Sequence, residues 1–157
     1  MREKLKGRVC FLGIGNEDLG DDGFGPALVR RLETAGCMAV DGGMTPENAL
    51  PRLASRNCDQ VVMVDAVRAG AAPGSVVFMD AAEINSRFAQ ITTHKLSLGL
   101  LSRLIEDRTR AKVWLLGVQP LSVERNAGLS REVRDSLDAL EKIVLDAKDN
   151  DNVLNLS

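Results

Sequence analysis

The chain has 157 residues, of which 45% are hydrophobic and 27% are charged, a composition typical of a globular protein with one substantial core. Its 20 basic and 22 acidic side chains give a net charge of −2, and only 3% of its residues are aromatic, which argues against a nucleic-acid partner. No apolar run approaches the ~20 residues of a membrane span, and the charged start lacks a signal peptide's apolar region. We therefore expect one cytoplasmic domain over residues 1–157, without a membrane partner.

A buried strand and a glycine-containing turn open the chain. Val9–Ile14 is a short apolar run of the kind that fills a parallel sheet covered on both faces. Gly13 and Gly15 allow a tight turn, because glycine lacks the Cβ atom that restricts the backbone. A helix is predicted over Pro26–Ala35, since proline suits a first helical turn.

Two adjacent carboxylates, Asp21 and Asp22, lie in the loop between this strand and this helix. In open α/β sheets, ligands bind at the carboxyl ends of the strands, and the helix dipole favours an anionic side chain there. Either aspartate could instead cap the helix. We interpret Asp21 as a structural residue or a support for a ligand, rather than as a ligand itself.

Strands and helices continue to alternate through the first half of the chain. Strands are predicted over Cys37–Val40 and over Gln60–Val64, where the second one ends at Asp65. Between them, a helix is predicted with Thr45 as its cap and its end near Asn57.

In the second half, a loop is predicted at 68–74, followed by a strand at Ser75–Met79 and a polar segment to Thr93. A helix is then predicted from His94, with Thr93 as its cap. The last two predicted elements are a strand at 111–118 and a final helix capped by Ser130. The strand at Ser75–Met79 could be an antiparallel edge, and the polar tail at 148–157 could be disordered. The alternation predicts a three-layer α/β/α sandwich around a mostly parallel, twisted sheet of about five strands, similar to phosphorylase/hydrolase-like folds.

The three cysteines, Cys10, Cys37 and Cys58, are widely spaced and form no Cys-x-x-Cys pair. An odd number at such spacing predicts reduced, mostly buried thiols in a cytosolic protein rather than a disulfide framework.

Three side chains are candidates for a metal site or an acid–base site: Asp22, Asp65 and His94, the only histidine. In a doubly wound sheet they can converge on one edge, where two carboxylates and an imidazole would suit a divalent transition metal. Each also has an ordinary explanation, because aspartate often ends a strand and His94 could be a first-turn helix residue.

A dinucleotide site is an alternative interpretation of the opening stretch. Gly13 and Gly15 fit the first two glycines of a G-x-G-x-x-G motif, and Asp41 could hold a ribose. However, the third glycine position is Asp18, and the acidic pair that follows would repel a pyrophosphate. This interpretation is therefore disfavoured.

Several motifs, taken together in order, resemble the [NiFe] hydrogenase maturation endopeptidases, a peptidase family designated M52. The motifs are GIGN (13–16), GDDGFGP (20–26), VDA (64–66), THKLSL (93–98) and GVQP (117–120). GGMTPEN (42–48) resembles the branch that matures hydrogenase 3-type large subunits. The resemblance covers roughly residues 8–146.

The resemblance implies removal of a short carboxyl-terminal extension from the precursor of a hydrogenase large subunit, after nickel has entered that precursor. It places the metal-contacting and catalytic positions on Asp22, Asp65 and His94, with Ni²⁺ supplied by the substrate and replaceable in vitro by Zn²⁺ or Cd²⁺. It makes Asp41, Gly42 and Gln119 substrate-facing or supporting groups. The expected partner is the precursor itself, and the expected oligomeric state is monomeric.

Other functions stay open at the level of sequence. No serine or cysteine has a visible histidine partner, so a serine or cysteine protease is disfavoured. GIGN (13–16) also resembles the opening of peptidyl-tRNA hydrolases, but a net charge of −2 is poorly suited to an RNA substrate. The remaining alternatives are a nucleotide-binding α/β domain and a non-catalytic chaperone that holds a nickel-loaded subunit.

Overall fold

The centre of the protein is one five-stranded sheet, formed by β1 (Val9–Gly13), β2 (Ala39–Asp41), β3 (Gln60–Ala66), β4 (Val76–Asp80) and β5 (Lys112–Val118). This computed structural model describes residues 1, 3–88 and 96–151. The strand order is β2-β1-β3-β5-β4. Four strands are parallel, whereas β4 pairs antiparallel with β5 at the edge. The predicted mostly parallel sheet and its antiparallel edge strand are therefore confirmed.

Helices cover both faces of this sheet, namely α1 (Phe24–Thr34), α2 (Leu50–Ser55), α3 (Ala81–Phe88), α4 (Leu98–Thr109) and α5 (Arg131–Asp151). One face, which we call the α1–α5 face, packs against α1 and α5. The opposite one, the α2–α4 face, packs against the three helices α2, α3 and α4. The predicted three-layer sandwich is thus the observed one.

Successive residues of the central strands point to opposite faces, as the geometry of a β-strand requires. On β1, Phe11 packs into the α1–α5 face and Leu12 into the α2–α4 face. On β3, Val62 and Met63 divide in the same way. Both faces are buried, which explains why these strands read as continuous apolar runs.

The segment after β2 differs from its prediction. Thr45 makes no side-chain cap bond, so the prediction that it caps a helix is wrong. The residues that follow form a 3₁₀ turn, Pro46–Ala49, in which Asn48 N–H donates to the Thr45 carbonyl at 3.0 Å. The backbone carbonyl of Thr45, rather than its hydroxyl, therefore accepts the hydrogen bond at this point.

The segment for which only a polar character was predicted contains α3. This helix starts after Asp80, whose Oδ1 accepts from Glu83 N–H at 3.0 Å. The next helix, α4, begins at Leu98 with Ser97 as its cap, rather than at His94. Thr93 and His94 themselves lie outside the described residues.

The final helix agrees with its predicted start, because Ser130 Oγ accepts from Val133 N–H at 3.3 Å. α5 runs to Asp151, past the residue at which the tail was expected to begin, and residues 152–157 lie outside the description. All three cysteines are buried, as predicted.

In the described part of the chain, none of the helices has the length and apolarity that crossing a bilayer requires.

Candidate functional site at the carboxyl edge of the sheet

The acidic turn between β1 and α1, Gly20–Gly23, packs closely onto the carboxyl ends of the strands. A methyl group at Gly15 would collide with the carbonyl oxygen of Asp22, and one at Gly25 would collide with the carbonyl oxygen of Val64. Only glycine allows these close backbone approaches. Because the turn also contacts β3, its aspartates lie beside the end of that strand.

Asp22 is half-buried, and a backbone contact orients its carboxylate. Asn16 N–H donates to Asp22 Oδ2 at 2.8 Å. The N-cap residue of α1 is Gly23, with no side-chain cap bond, so neither aspartate of the turn caps this helix. The carboxylate of Asp22 is therefore held by the loop that precedes it.

Asp21 is fully buried, and its carboxylate accepts four hydrogen bonds from the segment that joins β5 to α5. Its Oδ2 accepts from the N–H groups of Leu121 and Ser122 at 2.8 and 3.2 Å and from the Ser130 hydroxyl at 2.9 Å. Its Oδ1 accepts from Ser130 N–H at 2.7 Å. Hydrogen bonds to a carboxylate are stronger than neutral ones. Asp21 is thus a structural residue, as predicted, and it fastens the loop after β5 next to Asp22.

Asp65 is the penultimate residue of β3 and lies level with Gly117 of β5. It is half-buried and lines an open cleft. Since the acidic turn contacts β3, Asp22 and Asp65 are brought to neighbouring positions at one edge of the sheet. The carboxyl ends of parallel strands meet at such an edge, which is the reason sequence position alone predicted this arrangement.

The third predicted ligand, His94, lies outside the described residues. The description resumes at Leu96, and both Leu96 and Ser97 line the same cleft as Asp65. Within residues 1, 3–88 and 96–151, no group of three His, Cys, Asp or Glu side chains is arranged to hold a metal ion. A metal bound by Asp22 and Asp65 would therefore need a further ligand, and two carboxylates with one imidazole would suit a divalent transition metal.

The cleft beside Asp65 has a volume of about 590 Å³ and opens on the α2–α4 face. Its inner wall is largely apolar and includes Ile14, Val67 and Leu101. Two exposed arginines, Arg68 and Arg87, also border it. A space of this size with two carboxylates in its wall, Glu47 and Asp65, can hold an extended peptide segment of a few residues.

This chain is similar to known proteins over most of its length. The family model described as hydrogenase maturation protease matches residues 26–147. The chain belongs to the hydrogenase maturation protease family. It is 31% identical to the Hydrogenase 3 maturation protease of Escherichia coli in an alignment of 134 residues that covers 83% of this chain and 84% of that protein.

Solved structures of the family share the fold. A [NiFe] hydrogenase maturation protease from Thermococcus kodakarensis superposes with a TM-score of 0.82 at 26% identity, covering 94% of this chain and 96% of that one. The hydrogenase maturating endopeptidase of E. coli superposes with a TM-score of 0.71 at 28% identity, covering 91% and 93% of the two chains. The resemblance stated from the motifs is therefore confirmed, and this chain has the α/β fold of those proteases.

Asp41 and Gly42 form the base of a loop whose following residues, Gly43 to Glu47, line the cleft of this maturation protease family member. Asp41 is exposed, and its Oδ1 accepts from Gly43 N–H at 3.0 Å. Gly42 N–H donates to the Gly13 carbonyl at 2.8 Å. Both residues thus shape the loop, and their contact with substrate stays a prediction.

Gln119 supports the opposite wall of the cleft. Its Oε1 accepts from Ala69 N–H at 2.7 Å, and its backbone carbonyl accepts from Gly74 N–H at 2.8 Å. These bonds hold the segment from residue 68 to residue 74, which begins with the cleft residue Arg68. The structure therefore places Gln119 as a supporting group of the cleft.

The structure gives the glycines of the opening stretch a packing role that the disfavoured dinucleotide interpretation does not require. The close backbone approach that Gly15 permits is taken up by the carbonyl of Asp22, not by a ligand. Asp18, at the third glycine position, is exposed, and its N–H donates to Asn16 Oδ1 at 2.9 Å in a local turn. The glycines of this stretch thus serve the packing of the acidic turn.

Most residues of the cleft wall were not predicted from the sequence. Met44, Arg68, Arg87 and Phe88 all border the cleft, and none was predicted to lie at the site. Arg87 and Phe88 belong to α3, which could have been found from the D-x-x-E spacing that begins at Asp80, a pattern typical of helix starts. No comparable signal points to Arg68.

Proposed function

We propose that this protein is a nickel-dependent endopeptidase that removes a short carboxyl-terminal extension from the precursor of a [NiFe] hydrogenase large subunit. The observation that supports this most directly is that Asp65 lines an open cleft at the end of β3 and that the turn carrying Asp22 packs against the same strand. Membership of the maturation protease family supplies the reaction class.

In this proposal, Asp22, Asp65 and His94 contact the nickel that the precursor carries. Carboxylate and imidazole donors suit nickel, and a partly filled set leaves positions for the ligands that belong to the substrate. Asp22 is presented for this contact because Asn16 N–H already orients one of its oxygens. Zn²⁺ or Cd²⁺ would substitute for nickel in vitro.

Cleavage of the extension then requires an activated water and a polarised peptide carbonyl. The carboxylates of Asp22 and Asp65 can accept the proton of the attacking water. The nickel of the substrate, held next to the scissile bond, supplies positive charge. Access to the nickel is therefore the condition that would link cleavage to completed metal insertion.

The cleft takes the peptide segment that surrounds the scissile bond. Its apolar wall, with Ile14 and Leu101, suits an apolar side chain, and Asp41 and Gly42 present the loop that borders it. Gln119 keeps the opposite wall in place. We expect these groups to contact the precursor residues immediately before and after the scissile bond.

The test is the mass of a hydrogenase 3-type large-subunit precursor after incubation with this protein at a substoichiometric ratio. We expect the nickel-loaded precursor to lose a carboxyl-terminal peptide and the nickel-free precursor to stay intact. Asp65→Asn, which removes the negative charge but keeps the shape, should slow cleavage by about 100-fold or more. Asp107→Asn on the exposed surface of α4 is the matched control and should cleave at the wild-type rate.

Two results would contradict the proposal: equal cleavage of the nickel-free precursor, and wild-type cleavage by Asp65→Asn. A precursor that binds but is never cleaved would instead identify a non-catalytic maturation chaperone. His94→Ala provides an independent check on the third ligand, with the same expected loss of cleavage.

A further inference from the structure

Three exposed apolar side chains lie on two loops at the edge that carries Asp22 and Asp65. Met44, in the loop after β2, is 60% exposed, and Leu121 and Val123, in the loop after β5, are 55% and 40% exposed. We call these three residues the apolar rim. In the sheet order β2-β1-β3-β5-β4, the two loops lie on either side of β1 and β3. The candidate catalytic carboxylates are thus flanked by apolar side chains on both sides.

Both loops of the apolar rim are fastened to the site by buried or backbone hydrogen bonds. The loop after β2 is joined to the first turn by Gly15 N–H, which donates to the Gly43 carbonyl at 2.9 Å. The loop after β5 is held by the buried Asp21, which accepts from Leu121 N–H at 2.8 Å. It is also held by Asn126 N–H, which donates to the Asp18 carbonyl at 2.7 Å. Such loops lose little conformational entropy when a partner covers them.

Single exposed apolar residues are common on protein surfaces, but their distribution here is uneven. The described residues include five large exposed hydrophobic side chains, and three of them form the apolar rim. Most of the exposed apolar side chains of the described residues thus lie at the sheet edge that carries Asp22 and Asp65, and exposed apolar surface is typical of protein–protein contact sites.

We propose that the apolar rim is the docking surface for the folded body of the hydrogenase large-subunit precursor. This inference rests on the proposed function, and it assigns recognition of the precursor body to residues outside the cleft. The occupant follows from position, because a peptide bond that reaches Asp22 and Asp65 must bring its parent protein over the loops on both sides. Since the rim is uncharged, its contribution to affinity should depend little on salt concentration.

The test compares a double variant of the apolar rim, Leu121→Ser/Val123→Ser, with a matched control on another surface. The side chain of Ile143 is 45% exposed and lies on α5, so Ile143→Ser removes an exposed aliphatic side chain away from the carboxylates. The leucine and valine side chains are exposed, whereas the Leu121 N–H that bonds Asp21 belongs to the backbone. The double variant therefore keeps the hydrogen bond that joins the loop to Asp21, and its far-UV circular dichroism and melting temperature should match those of the wild type.

Affinity for the nickel-loaded precursor of a hydrogenase 3-type large subunit is measured by biolayer interferometry, and cleavage is followed over a range of precursor concentrations. We expect the Kd of the double variant to rise by about tenfold or more, as for apolar hot-spot residues. Its cleavage should slow at low precursor concentration and recover as the concentration rises. Ile143→Ser should bind and cleave as the wild type does.

The behaviour of the wild-type protein distinguishes a failure of the docking proposal from a failure of the proposed function. If the wild type cleaves the precursor and the double variant binds with an unchanged Kd, the docking proposal is wrong while the proposed function stands. If the wild type binds the precursor without cleaving it, the proposed function is wrong, and the two Kd values still decide the docking proposal. Absence of precursor binding, or a wild-type dimer that the double variant dissociates, would overturn the docking proposal.

Discussion

The two faces of the sheet share the same strands but differ in the helices that cover them. On the α1–α5 face, α5 has 21 residues and packs against α1, where Arg31 Nη1 donates to Asp138 at 2.7 Å and to Glu141 at 2.9 Å. On the α2–α4 face, the helices have only 6, 8 and 12 residues, and the cleft opens there.

The difference shows how one sheet can be both stable and open. A close-packed face contributes to stability because it leaves no voids, whereas a substrate cleft is by definition unfilled. The long helix α5 leaves a recess of about 410 Å³ beside Leu116 and Leu140 on one face, whereas the shorter helices of the opposite face leave a cleft of about 590 Å³ beside Asp65. Substitutions on the two faces should therefore have different consequences.

A matched pair of leucine substitutions tests this contrast and should give the largest effects. Leu137 on α5 and Leu101 on α4 are both almost completely buried, but only Leu101 also lines the cleft. Leu137→Ala and Leu101→Ala should each lower the free energy of unfolding by about 2–5 kcal/mol, measured by urea denaturation. At a temperature where both variants are folded, only Leu101→Ala should raise the KM for the precursor. Equal changes of KM in the two variants would contradict the division of roles.

The strands and most helices could be predicted because their signals are local. The apolar run at Val9–Ile14 and the cap at Ser130 each lie within a few residues of the structure that they specify. The prediction that Thr45 caps a helix was wrong because a threonine before a proline fits both an α-helix cap and a 3₁₀ turn. α3 was missed because it is short, with eight residues and one fully buried side chain, Ile84.

The part of the candidate site that lies near strand ends could be predicted from the sequence. Asp22 and Asp65 follow or end central parallel strands, so their proximity follows from the sheet. The partners of Asp21 could not be predicted, because Leu121 and Ser130 are 100 and 109 residues further along the chain. Only the tertiary structure reveals that this carboxylate joins the acidic turn to the start of α5.

Asp21 joins the acidic turn to the segment between β5 and α5, and its substitution should have an intermediate effect. Asp21→Asn keeps the shape of the side chain but leaves one acceptor oxygen for four donors, so a buried N–H or hydroxyl group loses its partner. We expect a loss of about 2 kcal/mol in the free energy of unfolding and faster amide exchange at Leu121 and Ser122. The exposed variant Asp107→Asn should change stability by less than about 0.5 kcal/mol. Unchanged exchange at both amides would show that Asp21 does not hold the loop.

The smallest expected effect concerns the thiols, which also differ between the two faces. On the α1–α5 face, burial raises the pKa of the Cys37 thiol above its ordinary value of 9.0. On the α2–α4 face, a hydrogen bond between Cys10 and Cys58 and burial raise the pKa of Cys10, and the same bond lowers the pKa of Cys58. The raised pKa of Cys10 and the lowered pKa of Cys58 therefore change the pH dependence of stability in opposite directions, whereas no second thiol opposes the effect of Cys37.

The sign of the Cys37 effect follows from linkage. Above about pH 9 the thiol ionises in the unfolded chain but stays protonated in the folded protein, so stability falls as pH rises towards the folded pKa. The decrease should reach at most ~1.4 kcal/mol per pH unit. Urea denaturation of the wild type and of Cys37→Ala between pH 8 and pH 10.5 measures it, and the variant should show the shallower decline. If the two curves stay parallel over this range, the buried thiol of Cys37 is not a source of the alkaline loss of stability.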